Sequence, residues 1–201
     1  MARNVPRSAF GLMSLAAVAV GLWSLRYAMP GAPGAAPLDN LDTDRLAFLA
    51  HAVSASVALL LGPLQFVGAL RRRRPEVHRA VGWASVMAIS VAWAASLPMA
   101  MHAQTGAIAS AGFMALGVAW AATATLGVVR ARERDFVAHR RWMVRCFALT
   151  AAAITLRLQL GLSGLAGIPF DVGYPVIAWS SWVPNLVVAE WLLRRTGAAS
   201  R

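Results

Sequence analysis

LAFLAHAVSASVALLLGPLQFVGAL, residues 46–70, runs into RRRRPEVHRA, residues 71–80, and then into VGWASVMAISVAWAASLPMAM, residues 81–101. As helix, each flanking run is long enough to cross a hydrocarbon layer about 30 Å thick, which takes roughly 20 apolar residues. The middle stretch crowds Arg71, Arg72, Arg73, Arg74 and Arg79 around Pro75. The reading is a hairpin of two membrane-spanning helices joined by a basic turn, with the turn on the cytoplasmic side.

Four more segments of the same kind extend the pattern. The six candidates are Ser8–Tyr27, Leu46–Leu70, Val81–Met101, Ala107–Val129, Trp142–Ser163 and Tyr174–Leu193. The connections alternate in charge. Pro30 to Asp44 holds Asp39, Asp42 and Asp44; the next turn is the arginine block; the third is short and uncharged. Arg130, Arg132, Arg134, Arg140 and Arg141 fill the fourth, Asp171 is the only charge in the fifth, and Arg194, Arg195 and Arg201 end the chain. By the positive-inside rule, both termini and both basic turns are cytoplasmic. The expected fold is therefore all-α: one integral domain over residues 1–201, a bundle of about six helices in a bacterial inner membrane.

Composition agrees. The 201 residues are 59% hydrophobic and 13% charged, about half the charge of an ordinary soluble domain. The net charge of +11 would suit nucleic acid if it lined one water-facing surface, but it is divided among short blocks between apolar runs. The single Cys146 allows no disulfide framework and no CxxC site. No HExxH, paired intramembrane carboxylates or phosphate-binding loop occurs, which gives hydrolase and ATPase readings little weight. The first segment also resembles a secretory signal peptide, with Arg3 and Arg7 ahead of an apolar run and Gly34-Ala35-Ala36 after it. It is read as a retained helix, because the run is long and it places the amino terminus inside.

The two basic turns echo each other. One reads Glu76-Val77-His78-Arg79 with Trp83 beyond; the other reads Val137-Ala138-His139-Arg140-Arg141-Trp142. Pro75 suits the first position of a helix and Asp135 a capping position, so each His-Arg pair opens a returning helix, as a duplicated hairpin would. Ionisable groups in a membrane are costly, and each is a functional candidate. His78 and His139 lie at the inner face, and His51 and His102 towards the outer one. Neutral imidazole is an axial ligand of b-type haem, and a helix bundle can hold haem between facing helices. Ser54, Ala55, Ala58 and Gly62 share the His51 face at helical spacing, which would admit a macrocycle or, equally, a neighbouring helix. Arg79, Arg140 and Arg157 are the cations available to propionates or to a quinone head. Solvated interfacial histidines and an Arg157 that reaches out to the headgroups are the plainer alternatives.

Gln65, Arg145 and Glu190 share a deeper layer, and Arg145 and Glu190 are expected to pair as a lock between the last two helices. Trp179 to Asn185 opens the sixth segment with aromatic anchors and a proline kink at Pro184. Asn185 falls near mid-membrane.

The stretch His51, Gly62-Pro63-Leu64-Gln65-Phe66, Arg73, Pro75, His78-Arg79 and Gly82 resembles bacterial predicted multi-pass membrane proteins of unknown function. The likeness resumes at Gly112-Phe113, Trp120, His139-Arg140-Arg141-Trp142-Met143, Arg145, Ala148-Leu149-Thr150, Thr155-Leu156-Arg157, Asn185 and Glu190-Trp191. It implies a membrane protein and supplies no activity. A looser likeness is to six-helix diheme cytochromes b, which place paired histidines on four central helices. His51, His78 and His139 match that pattern on three segments, and only His102, in the loop before the fourth, stands in for the missing one. The leading expectation is haem b held by His78 and His139, an outer site at His51 with His102, and a quinone or redox partner. A membrane scaffold with purely structural polar groups is the alternative, and a small-molecule transporter the third.

Overall fold

The structure is a computed structural model and describes residues 7–29 and 45–198. Asp39, Asp42, Asp44, Gly34-Ala35-Ala36, Arg3 and Arg201 lie outside the described residues. The rest is helix: α1 Arg7–Leu25 with a short 3-10 turn Arg26–Ala28, α2 Arg45–Gln65, α3 Gly68–Arg73, α4 Pro75–Met101, α5 Ala107–Arg132, α6 Phe136–Thr150, α7 Ala152–Leu165, α8 Phe170–Ser180 and α9 Val183–Ala198. Among the described residues six spans are long and apolar enough to cross a membrane, with α6–α7 and α8–α9 each making one interrupted span. The surface is that of a membrane protein: Leu12, Met87, Val118, Leu158 and Val187 are all exposed, where a soluble fold would show charge.

Helix ends follow local chemistry rather than the apolar limits. α4 begins at Pro75 rather than Val81 because proline's missing N–H costs nothing in a first turn. α6 begins at Phe136 rather than Trp142 because Asp135 caps it, its Oδ1 accepting from the Ala138 N–H at 2.9 Å. α8 likewise starts at Phe170, four residues before the expected Tyr174, directly after Pro169.

The second segment, expected to be continuous to Leu70, stops at Gln65. Beyond Pro63 the last bonds tighten, Phe66 N–H to Pro63 C=O at 3.1 Å and Val67 N–H to Leu64 C=O at 3.2 Å. Val67 then turns extended. The sixth span breaks at Ser181–Trp182, two residues before Pro184. Proline cannot donate to Ser180 C=O, and the Gln159 amide takes that carbonyl instead at 3.3 Å. Asn185 Nδ2 donates to Ser181 C=O at 3.2 Å and to Thr155 Oγ1 at 2.9 Å. The fifth span also breaks, at Ala151, where neither proline nor glycine marks it.

The helices wind α1, α2, α4, α5, α6, with α9 against α6, α8 against α5 and α7, and α7 against α1. The core where they meet is built of small residues, Ala58, Ala88, Ala92 and Ala124, closed by Trp120 and Trp182. Small side chains bring helices close, and close packing is what holds membrane bundles together. Trp120 adds a bond across α5 and α6, its indole N–H to Thr150 Oγ1 at 2.9 Å. α6 also reaches α2, where the Phe147 ring lies over Gly62 and 5.3 Å from that of Phe66.

Candidate functional site: an arginine-rimmed cavity

α4 packs on α2 and α5, α6 packs on α5 and α9, and no extensive contact joins α4 to α6. The space left open at their arginine-bearing ends is part of a cavity of about 2440 Å³. His78 projects into it from the first turn of α4 and His139 from the first turn of α6. Each lies three residues past its helix start, so the two echoing turns deliver the same ring to one cavity. Arg71, Arg79, Arg132, Arg134, Arg140, Arg141 and Arg194 also line it, and among the described residues that do so none is acidic. The rest of the wall is mostly apolar, with Gln65, Ser85, Thr155 and Asn185 as its uncharged polar members.

The rings are held differently. His139 Nδ1 lies 2.7 Å from Gly127 C=O on α5. A carbonyl only accepts, so Nδ1 carries the proton and the Nε2 lone pair is left for a ligand. Metal-binding histidines are commonly oriented in this way. His78 Nδ1 is buried with no hydrogen-bond partner, and so is Gln65 Nε2 on the same wall. Buried polar atoms without partners are uncommon.

Arg145 and Glu190 meet between α6 and α9: Arg145 Nε donates to Glu190 Oε1, and Nη2 to Oε2 at 3.0 Å. The guanidinium also lies over the Trp142 ring, 4.6 Å from its centroid. Neither side chain lines the cavity. The fork is a lock beside it.

The outer histidines do not come together. His51 Nδ1 is held by Ala92 C=O on α4 at 2.9 Å, whereas His102 is exposed at the end of that same helix. Ten residues of helix, about 15 Å of axis, separate Ala92 from His102. That corrects the expected His51–His102 site, because an axial pair must face across a single ring. Arg157 is held apart from this cavity. It donates to Ala153 C=O at 2.9 Å and lies within electrostatic range of His51, Tyr27 and Arg26, in the half of the bundle away from Arg79 and Arg140. Of the expected ligands and cations, the cavity gathers His78, His139, Arg79 and Arg140.

Two features of the site have no sequence signal: the Gly127 carbonyl that orients His139, and the share of wall supplied by α1. Main-chain acceptors carry no residue signature, and which helices neighbour each other is settled by packing. No group of three or more His, Cys, Asp or Glu side chains able to hold a metal ion occurs among the described residues. A haem needs only two axial ligands.

Comparison with known proteins gives one match: the family described as Predicted membrane protein (DUF2306) matches residues 48–193. No curated protein and no solved structure matches the chain. The matched residues run from α2 to α9 and include every histidine.

Proposed function

The chain belongs to this family and is a multi-pass membrane protein; on that premise we propose that it binds one b-type haem between His78 and His139 and passes electrons in the bacterial inner membrane. The observation that carries this reading is the pair of histidines lining one cavity from two helices that make no extensive contact with each other. His139 is oriented by Gly127 C=O with Nε2 left free, and His78 has a buried ring nitrogen with no other partner. Arg79 and Arg140, each next to a histidine in the chain, supply cations to two carboxylates. When bound, the haem iron supplies one-electron chemistry. A quinone or a redox protein is the exchange partner.

The cavity mouth faces the cytoplasm in this reading, because the arginine-bearing turns are retained inside. Cysteine labelling checks it. Cys146 is 1% exposed and stays silent, so single reporters can be added to the natural chain. A membrane-impermeant maleimide should label Gln104→Cys in intact cells, and Glu133→Cys only after permeabilisation. The opposite pattern would invert the orientation.

The haem itself is tested by the absorbance of detergent-purified protein from cells fed a haem precursor. A Soret band that shifts on reduction is expected. Its absence would leave the scaffold reading, in which the polar groups only lock helices.

A further inference from the structure

The cavity continues past the histidines into a second region, between α1 and α9. These helices make no extensive contact with each other. Leu12 and Met13 line one side, Val188 and Leu192 the other, and Phe147 and Ile154 lie between. Leu12 and Val188 are also exposed on the outer surface, 71% and 54%, so the region opens sideways to where lipid would lie. Arg141 and Arg194 stand at its arginine-bearing end and are exposed. The nearby carboxylate, Glu190, is bound by Arg145, which leaves the mouth cationic.

The inner end differs in chemistry. Thr155 and Asn185 are polar, but Asn185 Nδ2 is spent on Ala148 C=O at 3.3 Å, Ser181 C=O at 3.2 Å and Thr155 Oγ1 at 2.9 Å. Thr155 in turn donates to Asn185 Oδ1 at 3.2 Å. No donor is left over for a carboxylate or a quinone oxygen. The groove therefore suits a molecule with an anionic head at one end and an apolar tip at the other. Arg141 and Thr155 are fourteen residues apart, about 21 Å along helix. One leaflet of a 30 Å hydrocarbon layer is about 15 Å deep, with the headgroup beyond it. The groove has the length of one lipid.

We infer that the groove between α1 and α9 is a binding site for one anionic phospholipid, its phosphate on Arg141 and Arg194 and an acyl chain lying over Phe147 and Ile154. This goes beyond the haem reading and stands without it, since neither histidine takes part. Basic clefts between membrane helices bind anionic headgroups.

The test is native mass spectrometry of the purified protein titrated with phosphatidylglycerol or with phosphatidylcholine of the same chains. The natural protein should hold one phosphatidylglycerol at least tenfold more tightly than phosphatidylcholine, since two arginines are engaged. Arg141→Gln with Arg194→Gln should abolish that preference. Both residues are exposed, so the fold survives the change. Ala148→Trp fills the groove and should weaken both lipids, with the elution volume on size exclusion showing whether the fold is kept. Equal binding of the two lipids by the natural protein would overturn the inference, as would an undiminished preference in the double variant. The Soret band, recorded on the same samples, reports the haem reading separately.

Discussion

Glu190→Ala lowers the thermal midpoint of the detergent-solubilised protein by several degrees, and Arg145→Ala lowers it less. The fork between these residues ties α6 to α9. Removing one partner of a fully buried pair costs roughly 3–5 kcal/mol, because the other charge is left without compensation. Here the side chains are 17% and 33% exposed, so solvent screens part of that, and about 2 kcal/mol is the expected loss for Glu190→Ala. At roughly 2–4 °C per kcal/mol for a chain of this size, the midpoint falls by about 4–8 °C. The asymmetry comes from the neighbours. Glu190 without Arg145 still has Arg194 and Arg141 within electrostatic range, whereas Arg145 without Glu190 is left with the Trp142 ring. Glu190→Gln keeps an acceptor for the guanidinium and should fall between the natural protein and Glu190→Ala. Equal midpoints, or the reverse order of the two alanine variants, would sink the idea that this pair is a lock.

Gly62→Leu should destabilise the bundle and narrow the cavity at once. A Cβ at position 62 would come within 2.6 Å of Phe147 Cδ2, and the rest of a leucine would go further into the ring. Replacing glycine inside a helix gains up to about 1 kcal/mol from propensity. Overpacking costs about 1–3 kcal/mol, so the clash wins. Phe147 lines the groove between α1 and α9, so a displaced ring narrows that groove. The variant should melt at a lower temperature than the natural protein. Phe147→Ala placed on top of Gly62→Leu should recover part of the stability, since the two substitutions share one contact. If the two effects simply add, Gly62 is not there to admit Phe147.

The membrane fold was legible because length and charge are read directly from the chain. Each apolar run meets the bilayer's length requirement, and the arginine turns alternate with neutral or acidic ones. The kink near Pro184 was legible too, since proline must leave a carbonyl unbonded. The break at Ala151 was not, because no residue there demands it. Ends at Pro75 and Asp135 were written in capping chemistry, although the apolar limits alone placed the helices six residues late.

The site was legible in part. The shared His-Arg placement in the two turns marked His78 and His139, and the structure brings both to one cavity. The separation of His51 from His102 was not legible: the apolar limits put both near one end of their segments, whereas His51 meets α4 at Ala92, ten residues of helix from His102. The distance of Arg157 from His139 was legible, but its neighbours Tyr27 and Arg26 were not, because they come from the packing of the first span on α7. Gly127 C=O, which orients His139, has no signature at all.

Haem content per chain bears most directly on the proposed site. Pyridine haemochrome absorbance, divided by protein from amino-acid analysis, measures it in the natural chain and in four single histidine-to-alanine variants. The natural protein, His51→Ala and His102→Ala should each carry about one haem per chain, while His78→Ala and His139→Ala should carry almost none. Full haem in His78→Ala or His139→Ala, or its loss in His51→Ala alone, would contradict a site between the two arginine-flanked histidines.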